Sequence, residues 1–486
     1  MMNHAVSNGA SSSRQAETLA CHEIPTDALL PQLAVILNQA AMKDRLQAQM
    51  FESIQERERF LVRSCEIDRV RYKPESSCMV TYRLEIEDTT TRKTGEQVLC
   101  GRAYPEGQSQ SHWEKARRRA VVQPRFGKPM VYLPHLELVL WSFPNDRKMT
   151  TLPAAIEAAH STSVILPQSI AAHLGRGWQI LGSTSQVMHY VGEHTCTVKM
   201  SLDLSHPSQN ELQPMTLFGK TYYNEEGAET DRVMRQLWDS ESRRSGRLAL
   251  AKPLGYDRQA KTLWQLGVPG ITLETCDIDR PEFLPFLREA AGAIGALHQT
   301  PVSGARSVTP TDLISNLKSV TSILIRCRPT CGEFLLPLVD RLVAQAYMIP
   351  AHPSATVHGD LHLKNFLVDA ARVTLIDLDN VCTGSPYLDL GSLIAGLHTY
   401  SILHEKSEET VPRLVESFLR AYEIHVPWPI RRDLVDWHTA VALITERAYR
   451  CVTRLKEGRP AMIEELITLA GRLSQAAASC AQGMER

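Results

Sequence analysis

One stretch of this chain occurs twice. Tyr72, Glu75, Cys78, Val80, Leu84, Leu99, Gly101 and Tyr104 all recur 118 positions later, eight identities in 33 aligned positions with no gap. A chain that carries one supersecondary unit twice must fold each copy in the same way and cover the apolar face of each. The repeated unit reads as a β-hairpin. Cys196, Val198, Met200, Leu202 and Leu204 alternate with Thr197, Lys199, Ser201 and Asp203, and Cys78, Val80, Tyr82, Leu84 and Ile86 alternate in the same way. Alternation with period two predicts a strand with one buried face. A second strand follows in each copy and ends at Arg102 or at Lys220. After the second copy, Val233, Met234, Leu237 and Trp238 share one face of an expected helix.

The period changes to 3.6 from about residue 281. Amphipathic helices are expected over 281–299, 311–326, 332–347, 410–424, 430–456 and 460–478, with a short β-rich interruption at 355–390. The expected divisions are a disordered tail at 1–25, a degenerate lobe-like repeat at 26–165, a second copy at 166–270 and a helical region at 271–486. Composition adds exclusions. Lys plus Arg (53) nearly cancel Asp plus Glu (54), which gives nucleic acid no support as a partner. No run approaches the roughly 20 apolar residues that span a membrane. The eleven cysteines are scattered, with no C-x-x-C pair. They read as reduced core thiols of a cytoplasmic protein.

The chemistry concentrates in the β-rich interruption, Thr356-Val-His358-Gly359-Asp360-Leu-His362-Leu-Lys364-Asn365, followed by Ile376-Asp377-Leu-Asp379 and Asp389-Leu-Gly391. Asp360 and Asn365 lie five apart on a tight loop, and Asp377 ends the next apolar strand. A hairpin would bring Asn365 and Asp377 to one mouth. One carboxylate and one amide oxygen are hard ligands that suit Mg²⁺, which keeps waters and takes further ligands from phosphates. Asp360 is then free to accept a proton from an attacking hydroxyl, the division of labour of kinase phosphoryl transfer. His362 reads as a loop residue, and Asp379 as a turn cap.

This pattern, H-G-D-x-x-x-x-N, then I-D-x-D, then D-L-G, resembles the aminoglycoside phosphotransferase and choline kinase family, closely over residues 356–396 and loosely over 180–480. The resemblance implies an α+β, protein-kinase-like two-lobe fold, with a β-rich N-lobe and a helical C-lobe, here preceded by a degenerate copy of the N-lobe. It implies Asp360 as catalytic base, Asn365 and Asp377 as Mg²⁺ ligands, and His358 and Asp389 as braces of the loop. Lys220 resembles the strand lysine that contacts nucleotide phosphates in kinase-like folds. A solvated strand-edge lysine reads the same, but the first copy has Arg102 there, so the second copy is expected to be the working lobe. Glu229 is the candidate acidic partner of Lys220, or else a favourable charge at a helix start. The turn Val191-Gly192-Glu193-His194-Thr195 stands where a phosphate-covering loop is expected, and Gln265, Leu266 and Val268 where a hinge would meet the adenine.

The implied cofactors are ATP (or GTP) and Mg²⁺. Only 12 positions separate Asp377 from Asp389, too few for the peptide platform of a protein kinase. The expected acceptor is therefore a small molecule with a free hydroxyl. Asp433, Asp436 and Glu446 are carboxylates that a polycationic aminoglycoside would want, though surface solvation explains them equally well. The first copy is expected to pack beside the second or to pair protomers in a homodimer. The alternative reading is a catalytically inactive, kinase-like nucleotide-binding scaffold.

Overall fold

A computed structural model describes residues 24–157, 166–208, 211–349, 353–370 and 372–484. The expected tail lies almost wholly outside the described residues. The chain forms two compact units: residues 1–228, 254–266 and 452–460 make one, and 229–253, 267–451 and 461–486 the other.

The first unit holds both copies of the repeat. Strands β1 (Phe60–Lys73), β2 (Ser77–Asp88), β3 (Lys93–Ala103), β4 (Met130–Leu133) and β5 (Leu138–Ser142) form a sheet in the order β1-β2-β3-β5-β4. Strands β6 (Gln179–Val191), β7 (Thr195–Ser205), β8 (Gln213–Tyr222), β9 (Pro253–Asp257) and β10 (Thr262–Leu266) repeat that order as β6-β7-β8-β10-β9. The described pairings are antiparallel. Each hairpin turn carries a glutamate in the left-handed region, Glu75 and Glu193, both at φ 59.

The duplication extends beyond the sequence match. Asp27 Oδ2 accepts from the Tyr72 hydroxyl (2.9 Å) and the Glu75 N–H (2.8 Å). Asp146 Oδ2 accepts from Tyr190 (2.7 Å) and the Glu193 N–H (2.9 Å), the same bonds one repeat later. A short helix follows each aspartate, Leu33–Ile36 and Leu152–Ile156. The second structural copy thus begins near Asp146. Asp146 stands before the division expected at 165/166, where a one-residue slip and poor identity hide the match in sequence.

The expected single buried face holds for β7, whose burial alternates over most of its length, but not for β2. On β2 the face of Cys78, Val80, Tyr82, Leu84 and Ile86 is fully buried, and Met79 and Thr81 on the other face are 2% and 1% exposed. Tyr82 donates to the Ile36 carbonyl (2.6 Å), so the N-terminal helices cover one face. Met79, Val98 and Cys100 share a core with Val187, Cys196, Val198 and Trp264, so the second copy covers the other. The two copies touch because each leaves apolar surface that the other removes from water.

The second unit is largely helical. Its principal helices run Phe283–His298, Pro310–Cys327, Gly332–Met348, Tyr387–Leu403, Thr410–Ile424, Arg432–Ala442, Tyr449–Arg454 and Ile463–Met484. Tyr387–Leu403 was not anticipated. It is buried nearly all round, so it shows no amphipathic stripe. Thr309 and Asp312 form a capping box at one helix start. The β interruption comprises β12 (Ala355–Val357), β13 (Phe366–Asp369), β14 (Arg372–Leu375) and β15 (Cys382–Gly384), and the earlier strand β11 (Ile271–Thr272) pairs with β13. β13 and β14 form the expected hairpin, and β12 pairs with β15.

Nine described cysteines are free thiols. Among the described residues no helix is long and apolar enough to cross a membrane.

Candidate active site

The loop from His358 to Asn365 leaves β12 and enters β13. Asp389, in the first turn of helix Tyr387–Leu403, anchors it by accepting from the backbone N–H of His358 (2.6 Å) and of Gly359 (3.0 Å). Asp389 is 1% exposed. Burial opposes its charge, but hydrogen bonding and charge from His298 (Nε2 at 3.1 Å), with the backbone bond from His358, hold its carboxyl below the usual range. The other His298 ring nitrogen lies 2.7 Å from the Tyr422 hydroxyl. Gly359 sits at φ 80, and a Cβ there would come within 2.2 Å of the Asn380 carbonyl oxygen. Only glycine lets the two backbones approach this closely.

His358 is fully buried and donates from Nε2 to the Ile376 carbonyl (2.9 Å). The Ile376 N–H donates to the Asn365 carbonyl (3.0 Å). These bonds seat the end of β14 beside the loop, so Asp377 follows directly on the residue that touches Asn365. Asp377 adopts left-handed φ 61, ψ 56, a conformation uncommon outside glycine that recurs at functional sites. Asn365 is 2% exposed and its Nδ2 donates to the Asp360 carbonyl (2.8 Å). One amide N–H is thus used within the loop, which orients Oδ1 as an acceptor. Asn365 and Asp377 offer one amide oxygen and one carboxylate, a donor set that fits a hard cation completed by water and phosphate oxygens. Among the described residues no group of three His, Cys, Asp or Glu could hold a metal without such help.

Asp360 Oδ1 accepts from Arg450 Nη2 at 3.0 Å, and Oδ2 stands 3.8 Å from His362 Nε2. Burial opposes its charge, but His362 and Arg450 hold the carboxyl below the ordinary range. Burial also pushes the His362 imidazole down to about 3, so His362 is uncharged at neutral pH and Arg450 carries the effect there. Neither His362 ring nitrogen has a hydrogen-bond partner among the described residues.

Sequence reasoning missed Arg450, His298, Tyr422 and Arg447. Arg447 and Arg450 follow from one local feature. A π-helical turn, Leu443–Ala448, links helices Arg432–Ala442 and Tyr449–Arg454 and shifts the helical register, a device common at functional sites. Arg447 donates to the Ser392 carbonyl (2.8 Å), and the Ser392 hydroxyl lies 3.0 Å from the Leu361 carbonyl and 2.8 Å from Glu446. Nothing in the sequence near residue 450 pointed to a loop ninety positions upstream. His298 closes an amphipathic helix and reads there as one more core residue.

The other expected residues are placed as follows. Lys220 lies in β8 opposite Thr197 and Leu263, half-buried, with its ammonium 5.8 Å from the Tyr222 ring centre. Glu229 is bonded to Arg232 (3.1 Å to Nε) within its own helix. Gln265 and Leu266 end β10, and Val268 follows; all three are half-buried. Asp433 is bonded to Arg431 (3.1 Å) and Asp436 lies 3.4 Å from Arg432.

The turn Val191–Thr195 is not open to cover a phosphate. The Glu193 N–H is taken by Asp146 and the His194 N–H by the Val191 carbonyl. Glu193 is 6% exposed, with its carboxylate bonded to Arg102 (2.6 Å) and Arg147 (2.5 Å). A Cβ on Gly192 would meet Cys100 Sγ at 2.1 Å. The first copy covers this turn, which a sequence reading of the second copy alone cannot see.

No curated protein matches the chain in sequence. Similar solved structures include a thermostable mutant of aminoglycoside phosphotransferase APH(4)-Ia, 15% identical, covering 65% of this chain and 99% of that one, TM-score 0.41. Aminoglycoside phosphotransferase APH(3'')-Id from Streptomyces rimosus is 18% identical over 58% of this chain and 97% of that one, TM-score 0.33. A choline/ethanolamine kinase family protein from Mesorhizobium loti is 15% identical over 58% and 89%, TM-score 0.37. The family model of the phosphotransferase enzyme family matches residues 217–434, a span that contains Lys220, Asp360, Asn365, Asp377 and Asp389. Residues 217–434, the segment that carries the braced loop, are thus similar to the phosphotransferase enzyme family.

Proposed function

We propose that this protein moves the γ-phosphoryl group of ATP, or of GTP, to a hydroxyl of a small molecule. The observation that supports it most is the state of Asp360. Its Oδ1 is bonded to Arg450, while no hydrogen-bond donor among the described residues reaches Oδ2. An ionised carboxylate with one free oxygen on a braced loop suits a base that takes one proton. The acceptor O–H proton passes to Asp360 Oδ2. The acceptor oxygen bonds to the γ-phosphorus, the β–γ bridging bond breaks, and the nucleoside diphosphate leaves. Mg²⁺, when bound, neutralises charge on the nucleotide phosphates. Asn365 and Asp377 would hold it. His358 and Asp389 keep the loop in register for Asp360. Lys220 is proposed to steady the phosphates, and Gln265, Leu266 and Val268 to meet the base through their backbone, on motif position alone.

The test is transfer from γ-labelled nucleotide to a protein-free small-molecule extract, with Asp360→Asn beside wild type and folding checked by thermal melting. Labelled small product from wild type only supports the reading; equal product from both rejects it. One observation favours a rival, a nucleotide-binding scaffold without transfer. The turn expected to cover the phosphates is committed to the first copy. The scaffold predicts nucleotide binding with no acceptor-dependent release of diphosphate.

A further inference from the structure

Asp360 is paired with an arginine that lies outside the segment the family model matches. Arg450 uses Nη2 on Asp360 and is 36% exposed, and its Nε and Nη1 have no partner among the described residues. Free donors of a fixed planar fork therefore stand next to the carboxylate proposed as base. A guanidinium in this position binds a second anionic oxygen readily, because its donors are preorganised and its charge is permanent. Lys364 lies within electrostatic range of Arg450 and Asp360, and also of Glu274 and Asp377. His362, beside Asp360, adds no negative charge.

The carboxylates that could have received a polycation are committed elsewhere. Asp433 and Asp436 are 8% and 7% exposed and paired with Arg431 and Arg432. Glu446 is held by the Ser392 hydroxyl (2.8 Å) and lies 3.4 Å from Arg447.

We infer that the acceptor is an anionic hydroxyl compound, one that presents a carboxylate or phosphate to Arg450 while its hydroxyl meets Asp360 Oδ2. Arg450 is then the residue that selects the acceptor by charge. This rests on the phosphotransfer reading of the same loop.

The experiment fractionates a protein-free extract by ion exchange at neutral pH into anion-retained, neutral and cation-retained pools. Each pool is assayed with γ-labelled ATP and Mg²⁺, and the anion-retained pool also after phosphatase treatment. Transfer is expected in the anion-retained pool. Its survival after phosphatase identifies a carboxylate, and its loss a phosphate. Arg450→Gln is expected to raise KM for that pool about tenfold to a hundredfold, with a smaller change in kcat, as loss of a charged hydrogen bond does. Product confined to the neutral or cation-retained pool overturns the inference, as does an unchanged KM in Arg450→Gln. If no pool yields product, the same pools are tested by thermal shift in the presence of a non-hydrolysable nucleotide. Stabilisation of wild type but not of Arg450→Gln by the anion-retained pool keeps the inference while rejecting phosphotransfer. No stabilisation by that pool rejects the inference itself.

Discussion

Arg102 binds Glu193 across 91 residues of sequence, from the third strand of one repeat copy to the hairpin turn of the other (Nη2 to Oε2 2.6 Å, Nε to Oε1 3.2 Å). Arg147 closes the same carboxylate from a second side. Arg102 occupies the position that Lys220 holds in the second copy, so the substitution has a structural use. Its bidentate fork matches a carboxylate in a way that a lysine does not.

This triad makes stability depend on acid. Burial opposes charge on Glu193, but bonds and charge from Arg147 and Arg102 bring its carboxyl down to about 2. A depressed pKa stabilises the folded chain above the usual glutamate value near 4.5, and the effect is lost as pH falls from there toward 2. A shift of that size corresponds to about 3 kcal/mol. Urea unfolding of wild type should weaken steeply between those limits, and Glu193→Gln should lose less over the same range. Parallel pH profiles for the two proteins would contradict this.

Removing the charge at neutral pH leaves two half-buried guanidiniums without their partner. Glu193→Ala should cost about 2–4 kcal/mol, since breaking a buried pair costs more than the pair contributes. Arg102→Lys should cost less, about 1–2 kcal/mol, through loss of the fork. Denaturant midpoints measure both.

Gly192 is where the copies approach most tightly in this turn. Gly192→Ala should destabilise the chain by about 1–3 kcal/mol, because the new methyl meets Cys100 Sγ at 2.1 Å. Cys100→Ala in the same chain should restore part of the loss. Additive rather than compensating effects in this double-mutant cycle would show that the contact does not join the copies.

In the loop, Gly359→Ala forces a Cβ against the backbone oxygen of Asn380, which cannot rotate away. The expected result is loss of at least about 2 kcal/mol of stability together with activity. Asp360→Asn makes the contrasting prediction. Its thermal midpoint should stay close to that of wild type, while transfer falls about 10²–10⁴-fold. Asp377→Asn should raise the Mg²⁺ concentration needed for half-maximal transfer, which a titration at saturating nucleotide measures.

The sequence by itself carried the duplicated hairpins, the amphipathic helices and the loop with Asp360, Asn365 and Asp377. These are local, because alternation, helical period and fixed spacing are properties of contiguous residues. Helix Tyr387–Leu403 escaped for the same reason: buried nearly all round, it has no amphipathic pattern to read. Tertiary structure decided what lies between distant residues. It put Arg450 on Asp360, ninety residues apart, and gave His298 to Asp389. It turned the second copy's hairpin tip into an interface with the first, where a reading of that copy alone expected a phosphate loop. It also moved the start of the second copy back to Asp146, whose role is visible only through bonds to Tyr190 and Glu193. Pairings of this kind depend on which surfaces meet when apolar faces are buried and charges must find partners, and no local spacing encodes that.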